Sequence, residues 1–373
     1  MRDVELRLGD VCALIGEPGS GKSNLLAAIR ALLDPHAPAL TAADRTRGRT
    51  RPIGVDGQLA DGARLRLGDA IEPPPAVLFL PGDLRTASVV AEPAGAAAVE
   101  AAERITAARR RAERDSTAGP AASLVDGLES CCSGGVAGVV MLVEEPELYL
   151  RPHAQRYLYR LLRRFAHTGN QVVYSTHSPA FLNVTRLNEI AVLRHHPRSG
   201  TTAFQPRPLP VQEEERALEE LDMDRSELAL ARAAILVEGR TEKVAFPFVF
   251  RALGHDADRE AVSIVDCGGK ANLPLMAGIC HALGVPAVVV HDRDVDPGRR
   301  EPRAVRILNE EIGDAAGAER TVVLAPDFEG VVGIRSHAHK PQHALERFSA
   351  LTRASVPAEL ARVVALALEL AAQ

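Results

Sequence analysis

Two groups of residues that could handle phosphate chemistry follow one another along the chain. The first is the loop of residues 16–23 (GEPGSGKS), called here the phosphate loop, which fits the pattern G-x-x-x-x-G-K-[ST]. The second begins at Glu238 and returns at Asp292 and Asp294. The first pattern favours binding of nucleotide phosphates, and the second favours a carboxylate site for divalent cations.

The phosphate loop lies between an apolar run and a helical pattern, which is the context that such a loop requires. Its glycines let backbone N–H groups close on phosphates, and the helix N-terminus adds a favourable potential. We expect Lys22 to reach the β- and γ-phosphates of ATP and Ser23 to hold Mg²⁺. The residues predicted to bind nucleotide here are Gly16, Gly19, Gly21, Lys22, Ser23 and Asn24.

Residues 139–143 form an apolar run that predicts a buried strand ending in two carboxylates. Glu144 could bind Mg²⁺ through water, and Glu145 could polarise the water that attacks ATP. His177 follows the next predicted strand and could contact the γ-phosphate. Acids at a helix N-terminus are the structural alternative for the two glutamates.

Four acids in the second half follow predicted strands. In a parallel sheet the carboxyl ends of strands share one edge, so these side chains should converge and repel one another unless cations join them. Hard oxygen ligands at this density suit Mg²⁺ or Mn²⁺, and two such ions could activate water on a phosphodiester. The four acids are Glu238, Asp266, Asp292 and Asp294.

Alternating strand and helix patterns position both groups. The second half alternates over 233–324, which indicates right-handed βαβ units and a parallel sheet. In the first half we predict strands over 4–8, 11–15, 76–80, 139–143 and 171–174, a hairpin within 35–75, and helices over 24–33, 96–114 and 152–167. A terminal helix is predicted over 357–372.

The first half resembles a known ATPase family. Residues 144–152 (EEPELYLRP), followed by 175–179 (STHSP), look like the ABC-type ATPase of OLD (overcoming lysogenization defect) nucleases. In that class two ATPase heads enclose ATP, and a signature loop of one head contacts the nucleotide on the other. The two candidates for that loop are residues 116–119 and 126–127.

The second half resembles the Toprim domain of the same family. The matching segments are 236–239 (LVEG), 265–272 (VDCGGKAN), 292–294 (DRD), 327–330 (DFEG) and 340–341 (KP). This resemblance adds Glu242 and Glu329 as metal ligands and Lys340 as a catalytic lysine, which could stabilise charge or protonate the leaving group. Histidines 337, 339 and 343 could serve in place of Lys340.

The resemblance implies an α/β protein in which an ABC-type P-loop ATPase precedes a Rossmann-like Toprim domain with a parallel sheet. The expected divisions are an ATPase domain at 1–196, a linker at 197–232, a Toprim nuclease domain at 233–345 and a C-terminal helical segment at 346–373.

Composition restricts the partners only weakly. The net charge of −5 is no global signature of a nucleic-acid-binding protein, although arginine runs at 45–51 and 109–114 could contact phosphates or simply be solvated. Aromatic residues make up 3% and do not interleave with these runs, so we expect little sequence specificity. The five cysteines lack metal-site spacing, and no leader-like or membrane-spanning run is evident, so we expect a cytoplasmic protein.

Together these features predict an ATP-binding, Mg²⁺- or Mn²⁺-dependent DNA endonuclease. By resemblance we expect a homodimer or higher homo-oligomer through the ATPase heads, possible work beside a helicase-like partner, and a role in phage defence or DNA repair. The alternative is a non-catalytic, ATP-gated DNA-binding or sensor protein that uses the Toprim fold as a scaffold. A target of RNA or another nucleotide is a further alternative.

Overall fold

The computed structural model divides the chain into two compact units, residues 1–214 and 215–373. The predicted linker, 197–232, spans that division. The structure describes residues 4–41, 53–59, 62–69, 74–82, 95–115, 120–182, 185–196, 200–206, 226–295, 301–333 and 347–372.

A six-stranded sheet forms the centre of the first unit. Its strands are β1 (Val11–Ile15), β4 (Ala76–Leu80), β5 (Val139–Glu144), β6 (Gln171–Thr176), β7 (Ile190–His196) and β8 (Gly200–Phe204). They lie in the order β4-β5-β6-β1-β7-β8, and every neighbouring pair is parallel except β7 with β8. All five residues of β1 are buried, as expected for a central strand that is covered on both faces.

Helices cover this sheet and connect its strands. They are α1 (Lys22–Leu33), α2 (Ala96–Asp115), α3 (Pro120–Ser133), α4 (Pro152–His167) and the single turn α5 (Pro179–Leu182). In α4 the buried Leu158, Leu161, Leu162 and Phe165 recur at helical spacing, and Pro152 suits the first turn. A separate hairpin joins β2 (Asp56–Gln58) to β3 (Arg64–Arg66).

The second unit is built on a four-stranded parallel sheet in the order β10-β9-β11-β12. Its strands are β9 (Ala233–Val237), β10 (Val262–Asp266), β11 (Ala287–Asp292) and β12 (Thr321–Leu324). Its helices are α6 (Arg240–Leu253), α7 (Leu273–Ala282), α8 (Arg303–Ala316), α9 (Phe328–Val332) and α10 (Ala358–Ala371). One face of α10 packs into the same core as α6 and the sheet, through Leu360, Val363, Val364 and Ala367.

The predicted α/β fold with parallel sheets is confirmed, and two local predictions are corrected. Residues 4–8 alternate in sequence but form no strand, because no neighbouring strand pairs with them among the described residues. Residues 126–127, one candidate for the signature loop, lie inside α3. A Cβ at Gly127 would come within 2.8 Å of the Cα of Ile105, so this glycine lets α2 and α3 pack closely. The other candidate, 116–119, falls outside the described residues.

Asn170 joins three segments of the first unit, and its loss should destabilise that unit. Its Oδ1 accepts from Val139 N at 2.9 Å, and its Nδ2 donates to Val136 O and Phe165 O, each at 2.8 Å. Because Asn170 is buried, Asn170→Ala leaves these backbone groups unpaired and should lower the free energy of unfolding by about 2–3 kcal/mol.

Chemical denaturation measures this change. Asn170→Asp should fall between wild type and Asn170→Ala, since it retains only the acceptor. The exposed Asn188→Ala serves as the control. Equal stability of the two alanine variants would contradict the role assigned to Asn170.

Candidate functional site

The phosphate loop runs from the end of β1 to the start of α1. Gly16, Gly19 and Gly21 have φ angles of 156°, 81° and 101°, which favour glycine. At Gly16 a Cβ would lie 2.2 Å from Leu193 O, so a larger residue would also collide with β7. The sequence pattern therefore produces the tight loop that a phosphate requires.

Lys22 folds back over this loop. Its Nζ donates to Gly16 O at 2.9 Å and to Glu17 O at 3.2 Å, and it lies 3.4 Å from His177 Nδ1. Burial lowers the pKa of Lys22, while the attraction of Glu145 partly opposes that shift. The predicted lysine and histidine thus meet, although 155 positions separate them.

Glu145 and His177 form the other side of the site. His177 Nε2 lies 3.1 Å from Glu145 Oε1. Burial and the nearby Lys22 ammonium lower the pKa of His177. A neutral ring with its proton on Nε2 can donate to Glu145 and accept from Lys22, so one tautomer satisfies both contacts.

Burial raises the pKa of Glu145 to about 8, and the negative charge of Glu147 adds to the shift. Glu145 has a φ of 44°, which turns the chain sharply away from β5. Its N–H donates to Ser175 O at 3.1 Å, and this bond fixes the turn against β6. Glu144 is half-buried at the strand end, paired in register with Ser175.

Glu147 holds this arrangement together, and the sequence analysis gave it no role. It is buried, and its Oε1 accepts from the Thr176 hydroxyl and from His177 N at 3.0 Å. Glu147 thereby links the segment after β5 to the segment after β6 that carries His177. Its place in the motif at 144–152 was the available signal.

Ser23 and Asn24 lie in the first turn of α1 with exposed side chains.

In the second unit, most of the predicted acids lie at the carboxyl edge of the sheet. Glu238 follows β9, Asp266 ends β10, Asp292 ends β11 and Glu329 lies in α9 just beyond β12. Glu238 Oε1 accepts from Asp292 N at 2.7 Å, and Asp292 Oδ1 accepts from Phe328 N at 2.8 Å. These two hydrogen bonds connect the ends of three neighbouring strands.

Charge repulsion and burial act together on these acids. Burial raises the pKa of Glu242 to about 8, with added repulsion from Asp292, Glu238 and Glu329. Burial raises the pKa of Asp292 to about 7, again with repulsion from Glu238 and Glu329. The pKa of Glu238 is also raised, chiefly by burial. The structure therefore brings four of the predicted ligands, Glu238, Glu242, Asp292 and Glu329, within electrostatic reach of one another.

Lys270 supplies a positive charge at this edge, a contact that the sequence analysis missed. Its Nζ donates to Asp294 Oδ2 at 2.8 Å and to the backbone carbonyl of Asp292. Asp294 has a φ of 55°, and its side chain is 48% exposed. The sequence feature that could have indicated this role is the Gly-Lys-x-Asn pattern at 269–272, within the segment that resembles the Toprim family. Asp266 Oδ1 accepts from Gly268 N at 2.8 Å and supports the turn before Lys270.

Across the described ranges, no three His, Cys, Asp or Glu side chains already converge as the ligands of a bound metal do. Glu238 and Asp292 direct oxygens at backbone N–H groups, and Asp294 directs one at Lys270. Metal binding would therefore require these side chains to turn towards a shared ion. Lys340 and the histidines at 337, 339 and 343 lie outside the described residues.

The raised pKa of Glu145 predicts how ATP hydrolysis depends on pH. Only the ionised carboxylate can accept a proton from water, so turnover should rise as the pH increases through about 8. Glu145→Gln should lower turnover at least about a hundredfold and leave ATP binding intact. Phosphate release and nucleotide titration measure the two effects, with the exposed Glu103→Gln as the control. A flat profile in wild type would contradict the assignment of Glu145 as the base.

The raised pKa values of Glu242 and Asp292 predict a loss of stability at high pH without divalent cations. The folded state holds these protons more tightly than the unfolded chain. The two groups therefore contribute their full stability below the ordinary pKa values, 4.5 for Glu242 and 3.8 for Asp292. That contribution is lost as the pH rises through the pKa values in the folded protein, about 8 for Glu242 and about 7 for Asp292. Mn²⁺ or Mg²⁺ should consequently raise the unfolding temperature more at about pH 8 than at about pH 5.

Thermal unfolding with chelator or with Mn²⁺ measures this effect. Glu242→Gln should be more stable than wild type in chelator at the higher pH, while the exposed Glu311→Gln should match wild type. Stability that rises with pH in chelator would contradict the electrostatic account of this site.

Two family models match the chain at these sites. The Toprim domain of overcoming lysogenization defect protein-like proteins matches residues 230–294, which include Glu238, Asp292 and Asp294. An AAA domain family, whose description also names the AbiEii toxin of a type IV toxin–antitoxin system, matches residues 127–183, which include Glu145 and His177.

Curated relatives match longer segments. The OLD nuclease of Thermus scotoductus is 37% identical over 230 residues, which are 55% of this chain and 43% of the relative. The Old nuclease of Escherichia phage P2 is 28% identical over 166 residues, 42% of this chain and 28% of the relative. The chain thus spans less than half the length of these two relatives.

Among solved structures, the C-terminal region of the Burkholderia pseudomallei OLD protein aligns with a TM-score of 0.33 at 18% identity, covering 38% of this chain and 99% of that region. No helix in the described part of the chain is both long and apolar enough to cross a membrane. By the two family models and the curated relatives, the chain is similar to OLD nucleases, with an ATPase-like domain followed by an OLD-like Toprim domain.

Proposed function

We propose that this protein is an ATP-binding, divalent-metal-dependent endonuclease that cleaves phosphodiester bonds of DNA with little sequence specificity. The observation that carries the proposal is the group of buried and half-buried carboxylates at the carboxyl edge of the second sheet. Glu238, Glu242 and Asp292 all have raised pKa values, and their charges repel one another. Ionised carboxylates this close together destabilise the fold without cations and are well suited to bind them.

The donor set fits Mg²⁺ or Mn²⁺. All the candidate ligands offer carboxylate oxygens, which these hard ions prefer over nitrogen or sulfur. Glu238, Asp292 and Asp294 would form one part of the site, and Glu242 and Glu329 would supply further oxygens, with Asp266 as an outer candidate. When bound, the ions supply the charge that activates water and stabilises the leaving oxygen.

The protein's own contacts prepare this chemistry. Phe328 N and Asp292 N each donate to one carboxylate oxygen, which keeps Asp292 and Glu238 at the sheet edge, from where each would turn towards the ion. Lys270 binds one oxygen of Asp294, whose side chain is 48% exposed and would turn towards the ion. We assign proton donation to the leaving group, or stabilisation of its charge, to Lys340, which belongs to the Lys-Pro segment at 340–341 that resembles the Toprim family and lies beyond the residues matched by the family model.

We assign nucleotide binding to the first unit. Lys22 and the N–H groups of the phosphate loop would bind the phosphates, Ser23 and Glu144 would hold Mg²⁺, and Glu145 would activate water beside His177. The contacts between Lys22, His177 and Glu145 support this assignment. ATP would act on the pairing of two heads, and hence on access of DNA to the second unit.

A nucleic-acid substrate is supported by the relatives, which are named nucleases, and by charge, and DNA in particular is what the family resemblance implies. Exposed arginines on α2, at 110, 111 and 114, offer positive charge without aromatic partners. Such a surface binds the phosphate backbone and does not read bases. The arginine run at 45–51 lies outside the described residues. The same family resemblance supports a proposed role in phage defence or DNA repair, beside a helicase-like partner.

Supercoiled-plasmid nicking tests the proposal. Wild-type protein should nick plasmid with Mg²⁺ or Mn²⁺ and lose that activity in chelator. The double variant Asp292→Ala/Asp294→Ala should show no detectable nicking, because it removes two metal ligands at once. Each protein is assayed with and without ATP to obtain the sign of ATP control.

Asp314→Ala, an exposed acid on α8, is the matched control and should cut as wild type does. Nicking that persists in the double variant would refute the site assignment. ATP-dependent DNA binding without cleavage, in any metal, would instead favour the non-catalytic sensor.

A further inference from the structure

The β7–β8 hairpin lies directly against the outer side of the phosphate loop. β7 pairs with β1 in parallel and with β8 antiparallel, and His195 faces Thr201 in the register of the hairpin. Leu193 O of β7 lies so close to Gly16 that no side chain would fit between them. The hairpin therefore forms the outer wall of the phosphate loop.

A second contact joins the hairpin to the same loop. The Thr201 hydroxyl donates to Ser20 O at 2.9 Å, across 181 positions of sequence. Thr201 is 4% exposed and Ser20 is fully buried. His195 Nδ1 lies 3.4 Å from the same hydroxyl. A buried carbonyl needs a donor, and here Thr201 provides one.

The planarity of the peptide bond gives this contact a consequence for phosphate binding. The carbonyl of Ser20 and the N–H of Gly21 belong to one peptide unit and point in opposite directions when that bond is trans. A hydrogen bond that holds Ser20 O against the hairpin therefore holds the N–H of Gly21 on the opposite side. In a phosphate loop that side is the concave one, where N–H groups meet the phosphates.

The other hydrogen bonds of the loop are consistent with this direction. Ser20 N donates within the loop to Glu17 O at 3.1 Å, and Leu25 N donates to Gly21 O at 2.9 Å as α1 begins. These bonds fix the peptides on either side of the one that joins Ser20 to Gly21. The orientation of that peptide itself depends on Thr201.

We propose that Thr201 is a positioning residue for nucleotide binding, which acts by aiming the N–H of Gly21 at the phosphates. The inference rests on the proposed function of the phosphate loop and extends it to a residue outside both segments that the family models match. Glycine restricts the backbone less than any other residue. The peptide between Ser20 and Gly21 therefore depends on the hydrogen bond from Thr201 for its orientation.

Paired substitutions on one strand test the proposal in the full chain. Thr201→Val removes the hydroxyl and nearly keeps the shape, Thr201→Ser keeps the hydroxyl, and Thr202→Val makes the same change at the exposed neighbour. Titration with a fluorescent ATP analogue and Mg²⁺ gives the dissociation constant. We expect Thr201→Val to weaken binding about tenfold, the equivalent of one hydrogen bond to a charged group. Thr201→Ser and Thr202→Val should bind as wild type does.

A spectroscopic measurement separates positioning from a general loss of stability. The chain has three Ser-Gly pairs, at 20–21, 133–134 and 199–200, so ¹³C-serine with ¹⁵N-glycine labelling selects three amide signals. The Gly21 signal is the one that Ser20→Ala removes. ATP should shift this signal strongly in wild type and Thr201→Ser, and much less in Thr201→Val at saturating nucleotide.

The outcomes distinguish a failure of the proposed nucleotide binding from a failure of the role proposed for Thr201. If wild type binds no ATP, the proposed function of the phosphate loop fails and the role of Thr201 fails with it. If wild type binds ATP and Thr201→Val binds equally well with an equal Gly21 shift, only the role of Thr201 is overturned. Should Thr201→Val not fold, Thr201→Ala serves in the same comparison, with the same expected loss and the same contrary result.

Discussion

Repulsion between carboxylates is the constraint on which both candidate sites depend. Parallel strands deliver their carboxyl ends to one edge, and in each unit the chain places acids there. In each unit a lysine offsets part of the resulting charge: Lys22 lies near Glu145 in the first, and Lys270 binds Asp294 in the second. In both units, therefore, a nearby lysine partly offsets the repulsion between carboxylates at the sheet edge.

Backbone strain accompanies this arrangement in both units. Glu145 and Asp294 have φ angles of 44° and 55°, a conformation that costs a residue with a side chain about 1 kcal/mol or more. Each follows a strand end by one or two residues, so the sharp turn sets the direction of its carboxylate. Hydrogen bonds at each site sustain the strain, from Glu145 N to Ser175 O in the first unit and from Lys270 to Asp294 in the second.

Local patterns in the sequence were sufficient to predict the phosphate loop, the strand-ending acids and the α/β fold. Glycine spacing and apolar runs act over a few residues, so they can be read without knowing how the chain folds. The bracing contacts could not be predicted in this way. Glu147 reaches Thr176 across 29 positions, Lys270 reaches Asp294 across 24 and Thr201 reaches Ser20 across 181, and each depends on the order and register of strands.

The two errors in local prediction have the same physical origin. Residues 4–8 carry the alternation of a strand, but a strand also needs a neighbour to bond with. Gly127 fitted a loop motif, yet its lack of a side chain serves the close approach of α2 and α3 near Ile105. In both places the tertiary environment decided between structures that the sequence alone allowed.

The two candidate sites present charges of opposite sign to a phosphate group. In the proposed function, the first would meet its negative charge directly with Lys22 and with the N–H groups of the loop. The second presents Glu238, Glu242 and Asp292, which would repel a phosphodiester if they were ionised and alone. Among the described residues, Lys270 binds Asp294 at that edge, and one ammonium cannot balance so many acids, whereas added cations could reverse the sign of the charge there. The charge at the second site therefore supports the proposed dependence on divalent metal, and the charge at the first supports the proposed direct binding of phosphate.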